Sequence, residues 1–315
     1  MKIVVPDDFP RVLAGTAAEP QLRALGDVTI FTDRGANEEA ELVRRVHDAD
    51  AVLTLRAYSR FSERVLAECS SLQLISIWGT GTDNVDLNAC RARGIAVKNT
   101  PGVNANAVAE HTLALMLAIT RRIPAMDRGV RDGQWPRALL VQLEGKTLGV
   151  VGLGAIGRRV ASLAAAFGMN VLATSWGPDD GRAASVGARH VALETLLRES
   201  DIVSLHLRLT AESNGMLDRE RLAMMKPSAF LINTARGALM DRDALIAALR
   251  DGRLAGAGLD VFHEEPIPAD DPLLALSNVV FTPHNAGTTQ EVIDLGLGRA
   301  VENIAAFLDS SRRSE

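Results

Sequence analysis

Several residue types are scarce in this chain of 315 residues, and each scarcity removes a class of protein. Two cysteines, Cys69 and Cys90, cannot form a disulfide framework or a cysteine-rich metal site. Long hydrophobic runs are absent: Leu113 to Ile119 is among the longest, far short of the ~20 residues that a membrane span needs. The apolar stretch at the N-terminus is also too short for the hydrophobic region of a secretory signal peptide. We therefore expect a cytoplasmic protein without a membrane segment or a bound metal.

The chain also has no excess of positive charge. The chain has 34 Lys and Arg against 39 Asp and Glu, a net charge of −5, and the basic residues are spread along it. This pattern argues against nucleic acid as a partner. What is present is ordinary globular composition, with 47% hydrophobic and 23% charged residues, and a length that corresponds to roughly two domains.

Short apolar runs alternate with helical patterns along the whole chain. This alternation is typical of α/β proteins built on parallel sheets. A first series of strands begins at Lys2, and a second begins near Thr147. Between them we expect a long helix from Asn106 to Arg122, apolar on nearly all faces, stopped by Pro124 and buried between domains or subunits.

A glycine fingerprint follows the apolar strand at the start of the second series. It comprises Gly152, Gly154, Ala155, Ile156 and Gly157, and a helix is expected after it. The first glycine permits the tight turn, the second lets backbone approach a pyrophosphate, and the third lets helix pack on strand. The helix N-terminus then provides free N–H groups for the phosphates. This pattern predicts a dinucleotide site.

The choice between NAD and NADP stays open on the residues alone. An acid that binds the ribose 2′-hydroxyl is expected about 20 residues after the glycines. Ser175 or Trp176 stands there instead, while Asp179 and Asp180 follow closely and could replace it. Arg182 favours a 2′-phosphate, so NAD(H) is slightly favoured and NADP(H) remains an alternative.

Elimination narrows the chemistry that a nicotinamide enzyme could perform here. Reduction of a carbonyl needs a proton donor and a positive group that holds the substrate. A Tyr-x-x-x-Lys motif cannot supply the proton donor, because the single tyrosine, Tyr58, is followed four residues later by Ser62. Two cysteines and scattered histidines argue against catalytic zinc. A histidine therefore remains as the acid.

Three polar residues follow predicted parallel strands. They are Arg236, Glu265 and His284. Open α/β sheets bind ligands beyond the carboxyl ends of their strands. Three polar residues at strand ends that follow a dinucleotide fingerprint in the sequence therefore predict an active site.

The chain resembles the family of D-isomer-specific 2-hydroxy-acid dehydrogenases, which includes phosphoglycerate dehydrogenases and glyoxylate/hydroxypyruvate reductases. The resemblance covers nearly the whole chain, from Gly79-Thr80-Gly81-Thr82-Asp83 through the glycine fingerprint to Asn233-Thr234-Ala235-Arg236-Gly237 and Thr282-Pro283-His284. It implies two Rossmann-like, doubly wound parallel-sheet domains with a cleft between them. Residues 1–99 with 288–315 would form the substrate domain, and 100–287 the dinucleotide-binding domain.

The resemblance also implies roles for individual residues. Arg236 would bind the substrate carboxylate and polarise the carbonyl, His284 would be the general acid or base, and Glu265 would orient it and favour its imidazolium form. The cofactor would be lined by His206, Thr234, Ala235, Asp260 and Gly287. The substrate would meet Arg56, Trp78, Gly79 and Thr80, with backbone N–H groups of the last three taking its carboxylate.

Three positions depart from the family pattern and leave their roles open. Trp78 stands where a small residue is expected, so it either narrows the substrate pocket or packs in the core. Arg208 replaces a usual proline on the cofactor-side loop, and Asn285 replaces an aliphatic residue beside His284.

The activity implied is hydride transfer between NAD(P) and a small D-2-hydroxy acid or its 2-oxo counterpart, in a homodimer formed through the long helix and the segment Val130–Pro136. Glyoxylate, hydroxypyruvate and 3-phosphoglycerate are not separated by the sequence. The chain ends shortly after its last predicted helix, without the regulatory domain of some phosphoglycerate dehydrogenases, which disfavours that role. A dinucleotide-sensing protein, similar to corepressors with this fold, is the alternative.

Overall fold

The computed structural model describes residues 1–176 and 181–312, and it divides into two compact units. Unit 1 comprises Met1–Asn104 together with the chain from Thr288 onward. Unit 2 comprises Ala105–Gly287. Each unit is an α/β structure on a parallel sheet, which confirms the fold class predicted from the alternating pattern.

The sheet of unit 1 has five parallel strands in the order β2-β1-β3-β4-β5. These strands are β1 (Lys2–Val5), β2 (Asp27–Ile30), β3 (Ala51–Thr54), β4 (Leu74–Ile77) and β5 (Ala96–Asn99). The order of the strands reverses between β1 and β3. Ligands of doubly wound sheets bind at such a reversal, so the loops after β1 and β3 are the positions of interest in this unit.

Five helices cover this sheet: α1 (Ala18–Arg23), α2 (Glu39–Val46), α3 (Glu63–Ala67), α4 (Leu87–Ala92) and, from the end of the chain, α11 (Gln290–Arg312). Leu297, Ala300 and Ile304 of α11 belong to the apolar core of unit 1. The buried hydroxyl of Ser76 on β4 donates to the carbonyl of Ala300, 2.8 Å away. The last helix is therefore an integral part of the first unit.

The sheet of unit 2 has seven parallel strands in the order β12-β11-β10-β9-β6-β7-β8. They are β6 (Thr147–Val151), β7 (Asn170–Thr174), β8 (Arg189–His190), β9 (Ile202–Leu205), β10 (Phe230–Asn233), β11 (Gly256–Leu259) and β12 (Val279–Phe281). The chain winds outward in both directions from β6 and β9, as in dinucleotide-binding folds. The sequence analysis did not identify β8, because two residues carry no periodic signal.

The helices of unit 2 are α5 (Ala105–Thr120), α6 (Ile123–Arg131), α7 (Ala155–Ala166), α8 (Leu193–Glu199), α9 (Arg219–Met224) and α10 (Arg242–Arg250). Pro124 lies in the first turn of α6, where its missing N–H is tolerated, so it separates α5 from a second helix.

Within unit 2, α5 packs closely against its neighbours, and its predicted place between domains or subunits remains a prediction. It packs against α7 and against β10 and β11. A side chain at Gly258 would approach Leu115 to 3.1 Å, and one at Gly256 would approach Ile119 equally closely. The two glycines of β11 thus let an apolar face of the helix lie directly on the sheet.

In the described ranges, no helix is both long and apolar enough to traverse a bilayer. The same ranges contain no group of three or more His, Cys, Asp or Glu side chains arranged to hold a metal ion.

Candidate active site

The glycine turn lies at the point where the strand order of unit 2 reverses. Gly152 has φ +103, and a Cβ there would lie 2.6 Å from the carbonyl oxygen of His206 on the neighbouring strand end. A Cβ on Gly157 would lie 1.9 Å from the carbonyl oxygen of Gly152. Only glycine fits either position.

Gly154, by contrast, faces open space at the N-terminus of α7. It occupies the N-cap position, and no heavy atom comes within 4 Å of where its Cβ would be. Ala155 and Ile156 form the first turn, whose N–H groups have no partners inside the helix. The turn therefore combines a tight strand-to-helix connection with an open approach for an anion, and these residues fit the pyrophosphate of a dinucleotide.

Ser175 and Trp176 follow β7 at the same edge of the sheet. Ser175 is partly buried and Trp176 is 50% exposed. Asp179 and Asp180, the two candidate replacements for the ribose-binding acid, lie outside the described residues. Arg182 is described and partly buried.

His206 lies at the end of β9, next to the glycine turn. Its Nε2 is 2.9 Å from the hydroxyl of the buried Ser204. Burial lowers the pKa of His206 to about 3, so the ring is neutral at physiological pH. An uncharged ring beside Gly152 suits the predicted cofactor-lining or core position.

The structure brings Glu265 and His284 together, as predicted. Nδ1 of His284 lies 2.6 Å from Oε2 of Glu265, while Oε1 of Glu265 accepts the N–H of Phe262 at 2.9 Å. Burial by itself would raise the pKa of Glu265, but His284, the N–H of Phe262 and the charge of Arg236 together lower it below its usual value. Glu265 is therefore an ionised partner for the imidazole.

Arg236 follows β10 on a turn organised by Asn233. The side chain of this buried asparagine donates to the carbonyl of Arg236 at 2.8 Å and accepts the N–H of Ala235 at 2.9 Å. A Cβ on Gly237 would lie 2.2 Å from the backbone carbon of Phe262, so the Arg236 turn packs against the turn that leads to Glu265. Arg236, Glu265 and His284 thus share one edge of the sheet.

Asp260 occupies the end of β11 and is 1% exposed. Its Oδ1 accepts the hydroxyl of Thr282 at 2.6 Å and the N–H of Asn285 at 3.1 Å, and its Oδ2 accepts the N–H of Ala286 at 3.0 Å. The carboxylate therefore holds the backbone on both sides of His284. Its predicted contact with the cofactor remains a prediction.

Sequence reasoning missed the contribution of α5 to this edge. His111 Nε2 lies 2.9 Å from the hydroxyl of Thr282, and the hydroxyl of Thr112 lies 3.0 Å from that of Thr234. These pairs are separated by 171 and 122 residues. No spacing within one motif could have revealed them, although a polar pair in an otherwise apolar helix was a usable signal.

In unit 1, the loops after β1 and β3 meet where the strand order reverses. Arg56 donates through Nε to the carbonyl of Phe9 at 3.0 Å and through Nη2 to that of Pro10. The hydroxyl of Tyr58 lies 3.0 Å from both Oδ1 of Asp7 and the carbonyl of Phe9. Arg56 was predicted to contact substrate, and the structure shows that two of its donors hold the Phe9–Pro10 turn.

Trp78 is partly buried and packs against the core of unit 1. Its indole lies against α11, where a Cβ on Gly296 would lie 2.3 Å from its Nε1. The N–H of Trp78 donates to Thr54 and that of Gly79 to the hydroxyl of Thr100. Both N–H groups thus have partners within unit 1, and the contact of Trp78, Gly79 and Thr80 with the substrate carboxylate remains a prediction.

The other two departures from the family pattern are exposed. Arg208 lies on the loop after β9, where its carbonyl accepts the hydroxyl of Ser213 at 2.7 Å. Asn285 uses its backbone N–H to bind Asp260, so its side chain is free to differ without loosening the loop. Gly287 follows directly and is partly buried.

Comparison with known proteins gives consistent matches along the chain. Residues 113–286 match the family model described as "D-isomer specific 2-hydroxyacid dehydrogenase, NAD binding domain". A glyoxylate reductase of Aeropyrum pernix is 42% identical over 311 residues, covering 95% of this chain and 92% of that protein. A D-3-phosphoglycerate dehydrogenase of Mycobacterium tuberculosis is 41% identical over 285 residues, covering 90% of this chain and 54% of that protein.

A solved structure matches both units. The D-lactate dehydrogenase from Aquifex aeolicus, in complex with NAD and lactic acid, gives a TM-score of 0.87 at 31% identity, covering 99% of this chain and 97% of that one.

Proposed function

The chain belongs to the D-isomer-specific 2-hydroxyacid dehydrogenase family, and we propose that it reduces a small 2-oxo acid with Arg236, Glu265 and His284 as its catalytic residues. Family membership makes it a nicotinamide-dinucleotide-dependent oxidoreductase acting on CH–OH donors. The residue roles, the direction and the substrate are the proposal. The observation that carries it is the 2.6 Å contact between Glu265 and His284 at the carboxyl edge of a dinucleotide-binding sheet.

Proton transfer is assigned to Nε2 of His284. Glu265 holds Nδ1, which sets the tautomer and stabilises the positive charge of the protonated ring. The imidazolium donates its Nε2 proton to the carbonyl oxygen as negative charge develops there. When bound, the nicotinamide supplies the hydride in reduction and accepts it in oxidation. In oxidation the neutral ring takes the hydroxyl proton at the same atom.

Arg236 is assigned to the substrate carboxylate and the carbonyl oxygen. Its guanidinium carries a permanent charge with donors in a planar fork, which matches a carboxylate in two parallel hydrogen bonds. A donor of Arg236 also binds the carbonyl of Ala235 at 2.7 Å, which orients the side chain. Such a preset charge stabilises developing negative charge without reorganisation.

Small 2-oxo acids with no charged group besides the carboxylate are favoured as substrates, with glyoxylate or hydroxypyruvate as candidates. The glyoxylate reductase relative matches over nearly its full length. Within unit 1, Arg56 uses two of its donors to hold the carbonyls of Phe9 and Pro10, so these donors are already engaged within the protein. A phosphorylated 2-oxo acid is the competing substrate.

The cofactor is proposed to be NAD(H), with NADP(H) as the alternative that the assay resolves. The glycine turn and the N-terminus of α7 would hold the pyrophosphate, and Ser175 would face the adenosine ribose.

A homodimer is proposed through α6 and the segment that follows it. Apolar side chains there face solvent: Ile123 is 53% exposed, Val130 52%, Trp135 76% and Leu139 fully exposed. Such a concentration of exposed apolar residues on adjoining segments marks an interaction surface. Light scattering should give twice the chain mass, and Leu139→Asp should shift the protein towards monomer; a monomeric wild type overturns this part.

The activity is tested by absorbance at 340 nm with glyoxylate, hydroxypyruvate, pyruvate and 3-phosphohydroxypyruvate, each with NADH and with NADPH. We expect turnover of glyoxylate or hydroxypyruvate, and a loss on the order of 10²–10⁴ in kcat/KM for His284→Ala and Arg236→Ala. His47→Ala, which changes an exposed histidine of unit 1, is the matched control. Tight dinucleotide binding without turnover of any 2-oxo acid would favour the sensing role instead.

A further inference from the structure

A buried carboxylate binds the loop that carries His284. Asp260 accepts the N–H groups of Asn285 and Ala286 after the histidine and the hydroxyl of Thr282 before it. A buried carboxylate is stable only when its oxygens are hydrogen-bonded. The backbone after His284 is therefore held by the Asp260 carboxylate, and this carboxylate itself needs hydrogen-bond donors.

His111 is the group that reaches this contact from α5. Its Nε2 lies 2.9 Å from Oγ1 of Thr282 and 3.6 Å from Oδ1 of Asp260. The threonine hydroxyl has one proton and directs it to Asp260, so it acts as acceptor towards His111. It follows that Nε2 of His111 carries a proton, and the contacts form a chain from His111 through Thr282 to Asp260.

The backbone of His284 explains why such support matters. Its φ is +51, in the left-handed region that residues other than glycine rarely adopt. A residue persists in this region only when its surroundings hold it there. Loosening the loop would let His284 relax, which moves the ring relative to Glu265 and to the reacting oxygen.

The helix that presents His111 is rigidly seated. Leu115 and Ile119, one and two turns further along α5, lie against the glycines of β11. The neighbouring Thr112 contacts Thr234, which precedes the turn of Arg236. His111 is thus fixed by the same packing that fixes the strand ends of the site.

We propose that His111 is a positioning residue for His284, acting through Thr282 and Asp260 to hold the histidine loop in its strained conformation. This rests on the proposed function, in which His284 is the general acid. His111 makes no assigned contact with substrate or cofactor. Its removal should lower kcat much more than it changes the KM for NADH, because His111 is separated from Asp260, the one predicted cofactor contact in this chain of contacts, by Thr282.

The test uses variants that break or preserve each hydrogen bond in the full-length protein. His111→Leu removes the donor, and Thr282→Val removes the hydroxyl at nearly constant shape. We expect each to lower kcat about tenfold, with the KM for NADH within about twofold of wild type. The double variant should lose no more than either single one, because both break the same chain.

Rescue and packing are controlled separately. His111→Gln places an amide N–H near the position of Nε2 and should retain kcat within about twofold. Thr120→Val is the matched control: this buried threonine is on the same helix, and its hydroxyl donates to the carbonyl of Met116 within α5. It should leave kcat unchanged. An equal loss in Thr120→Val, or no rescue by His111→Gln, would overturn the proposal.

A readout independent of turnover separates this proposal from the function on which it rests. Amide hydrogen exchange at Asn285 and Ala286 should accelerate about tenfold in His111→Leu and return towards wild type in His111→Gln. Unchanged exchange overturns the proposal, as does faster exchange without a fall in kcat. If wild type reduces no 2-oxo acid, the proposed function fails, while exchange still reports whether His111 holds the loop.

Discussion

Nδ1 of His284 lies 2.6 Å from Oε2 of Glu265, and this contact decides which ring nitrogen is available for chemistry. With Nδ1 bound to a carboxylate, Nε2 is the nitrogen left for the proposed exchange of a proton with substrate. The lowered pKa of Glu265 keeps the carboxylate ionised throughout the neutral range. The two side chains therefore form one hydrogen-bonded unit.

Glu265→Gln should reduce kcat/KM for 2-oxo acid reduction by about 10²-fold or more, because a neutral amide no longer stabilises the imidazolium. The measurement is the steady-state rate at 340 nm with saturating NADH. Glu264→Gln removes the neighbouring, exposed carboxylate and should leave the rate unchanged. Equal rates for Glu265→Gln and wild type would show that His284 does not need this partner.

Two alanine substitutions in the glycine turn should separate cofactor binding from folding. Gly154→Ala places a methyl group in open space, so the melting temperature should stay unchanged. The affinity for NADH should fall about tenfold or more, because the methyl group blocks the approach of the pyrophosphate. Gly157→Ala places the methyl 1.9 Å from the carbonyl of Gly152, so both quantities should fall, with a loss of roughly 5 °C or more. Calorimetry and fluorescence titration give the two values. Unchanged NADH affinity in Gly154→Ala would place the pyrophosphate elsewhere.

Ser175→Asp should shift cofactor preference towards NADH by roughly tenfold, which corresponds to about 1.4 kcal/mol. A carboxylate after β7 accepts hydrogen bonds from a ribose 2′-hydroxyl and repels a 2′-phosphate. The ratio of kcat/KM with NADH to that with NADPH is the measurement, and Ser185→Asp, at an exposed serine of the same unit, is the control. An unchanged ratio would move attention to Arg208.

His206 should make the protein less stable as the pH falls below about 6.5. Burial lowers its pKa to about 3, so the unfolded chain binds more protons than the folded one between these values, and the free energy of unfolding decreases with falling pH across that window. Between pH 7 and pH 5 this contribution is about 1 to 2 kcal/mol.

Urea denaturation at pH 7 and pH 5 measures the effect. In His206→Asn the decrease between the two pH values should be smaller than in wild type by about that amount. His47→Gln changes an exposed histidine at the end of α2, and its free energy of unfolding should decrease as much as that of wild type. An identical decrease in all three proteins would show that His206 is not the group responsible.

The sequence by itself determined the fold class, the dinucleotide turn and the three polar residues at strand ends. These features are local: a glycine fingerprint occupies six positions, and a strand followed by a polar residue occupies fewer than ten. Parallel strands bring their carboxyl ends to one edge, so local order along the chain was enough to predict that Arg236, Glu265 and His284 share it.

The tertiary structure alone decided what supports those residues and which predicted contacts are already occupied. Asp260 and His111 meet Thr282 across 22 and 171 residues, Trp78 fills the space that Gly296 leaves on the last helix, and Arg56 holds a turn 46 residues away. Such contacts depend on how helices seat on sheets and on where loops cross. Packing between distant segments determines both, and it leaves no periodic or spacing signal in the sequence.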